Sequence, residues 1–174
     1  MHEWTESPSL RGHMEAVAAC MGFYAGQLDP AELERWWVTG LLHDFDYEKH
    51  PGEEEHPFVG VEHLRGLGVD EGILSAILGH AEYSGTLRET VMAKALFAVD
   101  ELAGFIVACA KVRPNGISDL KPKSVKKKLK DKRFAAAVSR EDISQGIEEL
   151  GVDTTGHIQN CIDAIRAEGE LVGL

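Results

Sequence analysis

Apolar residues recur at three- and four-residue spacing along almost the whole chain, and no segment of useful length alternates apolar with polar. Such a chain has to fold as helix packed on helix. The first stretch spans residues 9–27 and carries His13, Ala16, Val17, Cys20 and Tyr24 on one face. Asp29-Pro-Ala-Glu32 holds the start signals of a second helix: an N-cap aspartate, proline at the first helical position and a glutamate that completes a capping box. That helix bears Leu33, Trp36, Trp37, Gly40 and Leu41 up to His43-Asp44. An acidic loop broken by Pro51-Gly52 leads to a third helix, expected from Pro57 to about Arg65, and Asp70 caps a fourth that reaches His80. Thr86-Leu-Arg-Glu89 reads as another capping box, opening a long helix to about Val112, after which Arg113-Pro-Asn-Gly116 breaks the chain. Short helices over 122–130 and 134–138, one that Ser139 caps and that ends at Leu150, and a last one started by Asp153 or Thr154 complete an all-α fold of about six to nine helices.

Length and composition narrow the function classes. At 174 residues and 44% hydrophobic content, one domain over residues 1–174 is the simplest organisation. A net charge of −11 argues against general affinity for nucleic acid or anionic membranes. No apolar run approaches the ~20 residues of a membrane span, and the start Met1-His-Glu-Trp-Thr-Glu6 has no basic-then-apolar leader pattern. Cys20, Cys109 and Cys161 are odd in number and far apart, so they read as reduced thiols of a cytoplasmic protein rather than as metal ligands.

The chemistry concentrates in histidines and aspartates. His43-Asp44 closes the run Val38-Thr-Gly-Leu-Leu-His-Asp44. Adjacent helical side chains diverge by about 100°, so both can reach one ion only where the helix ends. His13 upstream and His56, His80 and Asp100 downstream make up a mixed nitrogen and oxygen set of the kind divalent metals take. Each residue also has a plainer role open to it. His13 and His80 could be hydrogen-bonded core or helix-end histidines. His63 lies two turns beyond His56 on the same face and rivals it as a ligand. Asp100 is harder to dismiss: with Ala93, Phe97 and Gly104 on its face it points into the core, where an uncompensated carboxylate is very costly. Glu101, about 100° further round, is expected to face solvent or a partner side chain. His50-Pro51 sits in a loop of exposed character, and His2 and His157 have no supporting context.

The order His13, His43-Asp44, His56, His80, Asp100 resembles the HD superfamily of metal-dependent phosphohydrolases over roughly residues 10–110. The dyad after Gly-Leu-Leu, the later Ile-Leu-Gly-His80 and Phe-Ala-Val-Asp100-Glu-Leu carry the likeness. His43-Asp-Phe-Asp-Tyr-Glu48, Asp100-Glu-Leu-Ala-Gly-Phe105 and the lysine run from Lys123 to Lys132 extend it to a group of small predicted HD hydrolases along nearly the whole chain. Phe45-Asp46 stands where the usual His-Asp-Ile-Gly tetrapeptide has Ile-Gly. The resemblance implies an HD-type helical bundle, with a metal-binding core over 10–112 and a C-terminal helical extension over 113–174. It implies that His13, His43, Asp44 and Asp100 hold a first divalent ion, and that Asp44 bridges to a second held by His56 and His80. Mn, Fe, Ni, Co, Zn or Mg would each suit, and one ion or two remain open. Asp44, Asp46 and Glu48 are then the catalytic candidates, the last two orienting water or protonating a leaving group, although polar loop residues would look the same. Lys94, Lys111 and Arg113 are the candidates for holding a substrate phosphate.

Residues 121–133 hold eight of the 18 basic residues and one acid, a local +7 that leaves −18 on the rest of the chain. Such a segment is either a solvated helix face or an anion site over the metal pocket. With only Phe134 nearby as a stacking partner, nucleic acid is a poor fit. Three function classes stay open: hydrolysis of a small phosphorylated metabolite or nucleotide, oxygen activation at an HD-type di-iron site, and a non-catalytic metal or ligand sensor.

Overall fold

The computed structural model describes residues 1–172 and is all-helical. In chain order the helices are α1 (Pro8–Leu28), α2 (Leu33–Leu42), α3 (Phe58–Gly66), α4 (Glu71–His80), α5 (Val91–Lys111), α6 (Pro122–Leu129), α7 (Arg140–Leu150), α8 (Thr154–Ala167) and the single turn α9 (Gly169–Val172). One-turn 3-10 segments at Pro30–Glu32 and Glu82–Ser84 precede α2 and follow α4. Among the described residues no strand forms, and no helix is long and apolar enough to cross a membrane.

Helices α1 and α5 are the two longest and form the centre. Met14, Val17, Cys20 and Met21 of α1 and Leu96, Val99, Leu102, Phe105 and Ile106 of α5 are all fully buried. Helices α2 and α8 pack on α1, α4 and α7 pack on α5, and α6 packs on α8. Where backbones come closest the sequence has glycine. A Cβ on Gly40 would lie 2.9 Å from Ala18 Cα, and one on Gly146 would lie 2.6 Å from Ala98 Cα. The first contact seats α2 against α1, so that the end of α2 carrying His43-Asp44 comes alongside His13. The second seats α7 against α5 beside Asp100.

Local side chains decide most helix starts. Ser7, Asp70, Thr90, Ser139 and Asp153 each accept a hydrogen bond from a backbone N–H in the first turn of the helix that follows. Three of the sequence expectations need correction. Asp29 makes no side-chain cap, and the chain enters α2 through the 3-10 turn instead. Helix α5 starts at Thr90 rather than at the Thr86 box. Thr86 spends its own N–H on Ser84 Oγ (3.1 Å), and Arg88 is pinned to Gly79 O (2.8 Å) and to Glu149 (2.7 Å) with its guanidinium 3.7 Å from the Phe97 ring centre. Residues 134–138 form turns, not a helix. Arg140 draws off their carbonyls, donating to those of Phe134, Ala135 and Val138, and Ala135 takes a left-handed φ of 44°. The helix that Asp153 caps is followed by one further turn, α9.

Replacing Gly40 by Ala should force α2 away from α1 and cost about 1–3 kcal/mol, read as a lower urea midpoint. The same change at exposed Gly26, whose added Cβ meets nothing within 4 Å, should not destabilise the protein.

Candidate metal centre

Six side chains converge from helices α1, α4 and α5 and from the segments just after α2 and just before α3. His13 comes from the second turn of α1, His43 and Asp44 from just past the end of α2, His56 from the residue pair before α3, His80 from the last residue of α4 and Asp100 from the middle of α5. They form two clusters. In the first, His13 Nε2 lies 3.2 Å from His43 Nε2 and 3.0 Å from Asp100 Oδ1, and His43 Nε2 lies 3.4 Å from Asp100 Oδ1. In the second, Asp44 Oδ1 lies 3.3 Å from both His56 Nε2 and His80 Nε2, which are 3.2 Å apart. The other oxygen of Asp44 turns toward the first cluster, 3.6 Å from His13 Nε2 and 3.5 Å from His43 Nε2. One carboxylate thus serves both.

The hydrogen bonds on the far side of each ring say what the cluster atoms are. His43 Nδ1 donates to Gly40 O at 2.7 Å, and His80 Nδ1 donates to Ile77 O at 2.5 Å. Each histidine at a helix end thereby satisfies a carbonyl three residues back that the helix leaves open. His56 Nδ1 donates to Asp46 Oδ1 at 2.8 Å. With Nδ1 carrying the hydrogen, neutral His43, His56 and His80 present lone pairs at Nε2. Lone pairs and carboxylate oxygens about 3 Å apart repel unless a proton or a metal ion lies among them. Donors bound at about 2.1 Å sit about 3.0 Å apart round an octahedral ion and about 3.4 Å apart round a tetrahedral one. The separations of 3.0–3.4 Å within each triplet fit that range.

Protons take up the strain when no ion does. Burial opposes the charged form of His43, yet the carboxylates of Asp44 and Asp100 raise its pKa well above the ordinary histidine value. Burial likewise opposes charge on His56, but Asp44 and Asp46 push it up to about 9. Burial works to raise Asp44, and His43, His56 and His80 nevertheless hold it well below the carboxylate range. His43 and His13 do the same for half-buried Asp100.

Five of the six residues line a cavity of about 400 Å³, with His43 sealed behind them. Its remaining walls are Tyr47, Ala81, Glu82, Tyr83, Phe97, Glu101, Gly104, Ala137, Val138 and Asp142. Several expected residues are placed elsewhere. Asp46 is 1% exposed, and its oxygens are taken by His56 and by the Gly60 N–H (2.7 Å), so it orients a ligand rather than handling water. A Cβ on Gly60 would fall 2.7 Å from that carboxylate. Glu48 accepts from the N–H groups of Glu6 and Ser7, both at 2.9 Å, and fastens the chain before α1. Lys94 lies outside the cavity wall, toward Glu149 of α7, which Arg88 chiefly and Lys94 in part hold down to about 2. Lys111 is eleven residues beyond Asp100, roughly 16 Å along α5, on a smaller groove behind His13. Arg113 is paired with Asp119 at 2.7 Å.

None of the basic residues of 121–133 lines the cavity. Lys126 donates to Thr155 Oγ1, Lys128 lies over the Phe134 ring, and most of the others are exposed. His63 is exposed and stacks on Trp4, its ring centre 4.6 Å away, which leaves His56 as the histidine in the cluster. His157 is buried between Tyr24 OH (2.5 Å) and Ala98 O (2.9 Å), and burial lowers its pKa. Glu101 does not face open solvent. Its flank of α5 is covered by the start of α7, where it accepts from Ser139 N–H (3.1 Å), and burial first and then Asp100 raise it to about 7. Nothing in the local sequence marks Glu101, Tyr47, Tyr83 or Asp142 as wall residues, because helices far apart in sequence bring them together.

The family model described as HD domain matches residues 10–104, a span that contains all six cluster residues. No curated protein and no solved structure matches the chain at a significant level.

Asp46→Ala should weaken binding at the His56–His80 cluster by about 10- to 100-fold and leave the His13–His43–Asp100 cluster unchanged. Calorimetric titration of the metal-free protein with Mn reads the two separately. His63→Ala should alter neither.

Proposed function

This chain belongs to the HD-domain family of metal-dependent hydrolases, and from that premise we propose a phosphohydrolase that cleaves a phosphate ester of a small metabolite or nucleotide. The observation that carries the reading is Asp44, whose two oxygens serve two histidine clusters at the floor of one open cavity. Divalent ions bound there would polarise a phosphoryl oxygen and lower the pKa of water. His13, His43, Asp44 and Asp100 would hold the first, and Asp44, His56 and His80 the second. The protein's own part is to keep those donors fixed before substrate arrives, which the hydrogen bonds of His43, His56 and His80 on their Nδ1 sides accomplish. With no lysine or arginine among the described wall residues, the hydroxyls of Tyr47 and Tyr83 are the neutral donors left for a phosphoryl oxygen. Three buried free thiols, Cys20, Cys109 and Cys161, support a cytoplasmic setting.

A second reading draws on that same lack of cations. An HD-type di-iron oxygenase would use the same six ligands and would not need a lysine or arginine for phosphate. A sensor with a closed ligand shell draws no support from a cavity of about 400 Å³ standing open over the clusters.

Metal-free protein should hydrolyse no phosphomonoester, and Mn, Co, Ni or Mg should restore the activity. Asp44→Ala should abolish hydrolysis under every metal condition and bind neither ion, whereas His56→Ala should retain one. Substrate-dependent oxygen uptake by iron-loaded protein, without phosphatase activity on any substrate, would replace the hydrolase reading by the oxygenase.

A further inference from the structure

Four histidines serve the two clusters, and three of them have the far ring nitrogen tied down. His43 Nδ1 and His80 Nδ1 donate to backbone carbonyls, and His56 Nδ1 donates to the Asp46 carboxylate. His13 Nδ1 has no hydrogen-bond partner among the described residues. Its Nε2 is the cluster atom, so an ion bound there would leave the hydrogen of the neutral ring on Nδ1. Metal-bound histidines regularly give that hydrogen to an acceptor, which fixes the ring and makes it a better ligand. For His13 the described residues supply none. Where its Nδ1 points follows from the pairing of α1 with α5. His13 Nε2 lies 3.0 Å from Asp100 Oδ1, whereas a Cβ built on Gly104, one turn further along α5, would meet His13 Nδ1 first, at 3.5 Å. From there a groove of about 200 Å³ follows α5 past Val107 and Ala108 to Lys111, with Ser9 of α1 and Val172 of α9 also on its wall.

The groove offers donors and no acid. Lys111 stands seven residues past Gly104, about 10 Å along the helix axis, and helical side chains lean back toward the helix start, so its ammonium approaches the His13 end. No carboxylate on the wall neutralises it. A carboxylate from outside fits this lining: one oxygen accepts from His13 Nδ1, the other faces Lys111, and a short hydrocarbon part rests on Val107 and Ala108. The molecule already contains such a contact, since the Asp46 carboxylate sits on His56 Nδ1 at 2.8 Å. We propose that the groove between α1 and α5 binds a small carboxylate, which does for His13 what Asp46 does for His56 and so tightens the first metal position. Carboxylate and metal then raise each other's affinity by the same factor. The inference rests on metal binding at the His13–His43–Asp100 cluster and on no particular reaction there.

Calorimetric titration of the metal-free full-length protein with Mn, in sodium acetate and in sodium chloride of equal ionic strength, tests this. Acetate should tighten the His13–His43–Asp100 site by about tenfold and leave the His56–His80 site unchanged. Lys111→Met replaces an exposed side chain, so it should bind Mn as the wild type does in chloride and lose the response to acetate. Equal Mn affinity in the two salts would make water the partner of His13 and overturn the proposal. An acetate effect that persists in Lys111→Met, or that is equal at both sites, would place acetate on the metal itself and overturn it too. No Mn binding in either salt would remove the metal reading and this proposal with it, whereas Mn binding that ignores acetate would remove the proposal alone.

Discussion

The structure depends on the direction of three imidazole hydrogens. His43 and His80 give theirs to carbonyls three residues back at helix ends, and His56 gives its own to buried Asp46. Every Nε2 is then left facing other acceptors at 3.0–3.4 Å. A hydrophobic core alone would not choose such an arrangement, because like-polarity groups brought together out of water are costly. It persists because the helix packing that places them is over-determined elsewhere, by Gly40 on Ala18 and by the fully buried faces of α1 and α5. What balances the clusters is a positive species at each. Protons serve without metal, as the raised pKa values of His43 and His56 express, and uptake of an ion has to displace them.

This division of labour explains how the chain can be acidic overall and still place carboxylates inside. Asp44 and Asp100 are compensated by imidazoles, and Asp46 by His56 and the Gly60 N–H. The basic segment plays no part in that balance. It spans α6 and the residues on either side of it, and its contribution to the cavity is indirect: the turns at its end lead on to Ala137 and Val138 on the wall, held in shape by Arg140.

The fold is legible in the sequence wherever a signal is local. Helical spacing and the caps at Asp70, Ser139 and Asp153 mark elements whose starts depend on a few adjacent residues. Thr86 and the 134–138 stretch mislead because Arg88 and Arg140 act on them from side chains whose targets cannot be read locally. The six clustered residues are legible from their order, which matches a known family's pattern, and Asp100 from the cost of a carboxylate on an apolar face. Asp46 and Glu48 look like site acids because they follow His43-Asp44 closely, but a loop turns its side chains in several directions. Asp46 ends behind His56, and Glu48 ends at the chain before α1. Lys111 and Arg113 follow Asp100 in sequence, yet the rise of α5 carries them well past the cavity. Glu101, Tyr47, Tyr83 and Asp142 have no sequence signature, since tertiary packing alone gathers them.

The central claim is that one carboxylate, Asp44, joins two metal positions. Anomalous diffraction from crystals grown with Mn tests it most directly. Two peaks, one among His13, His43 and Asp100 and one among His56, His80 and Asp44, with Asp44 within bonding distance of both, are the predicted result. Peaks confined to surface acids, or a His43 and His56 that turn their Nε2 atoms away from Asp44, would contradict it.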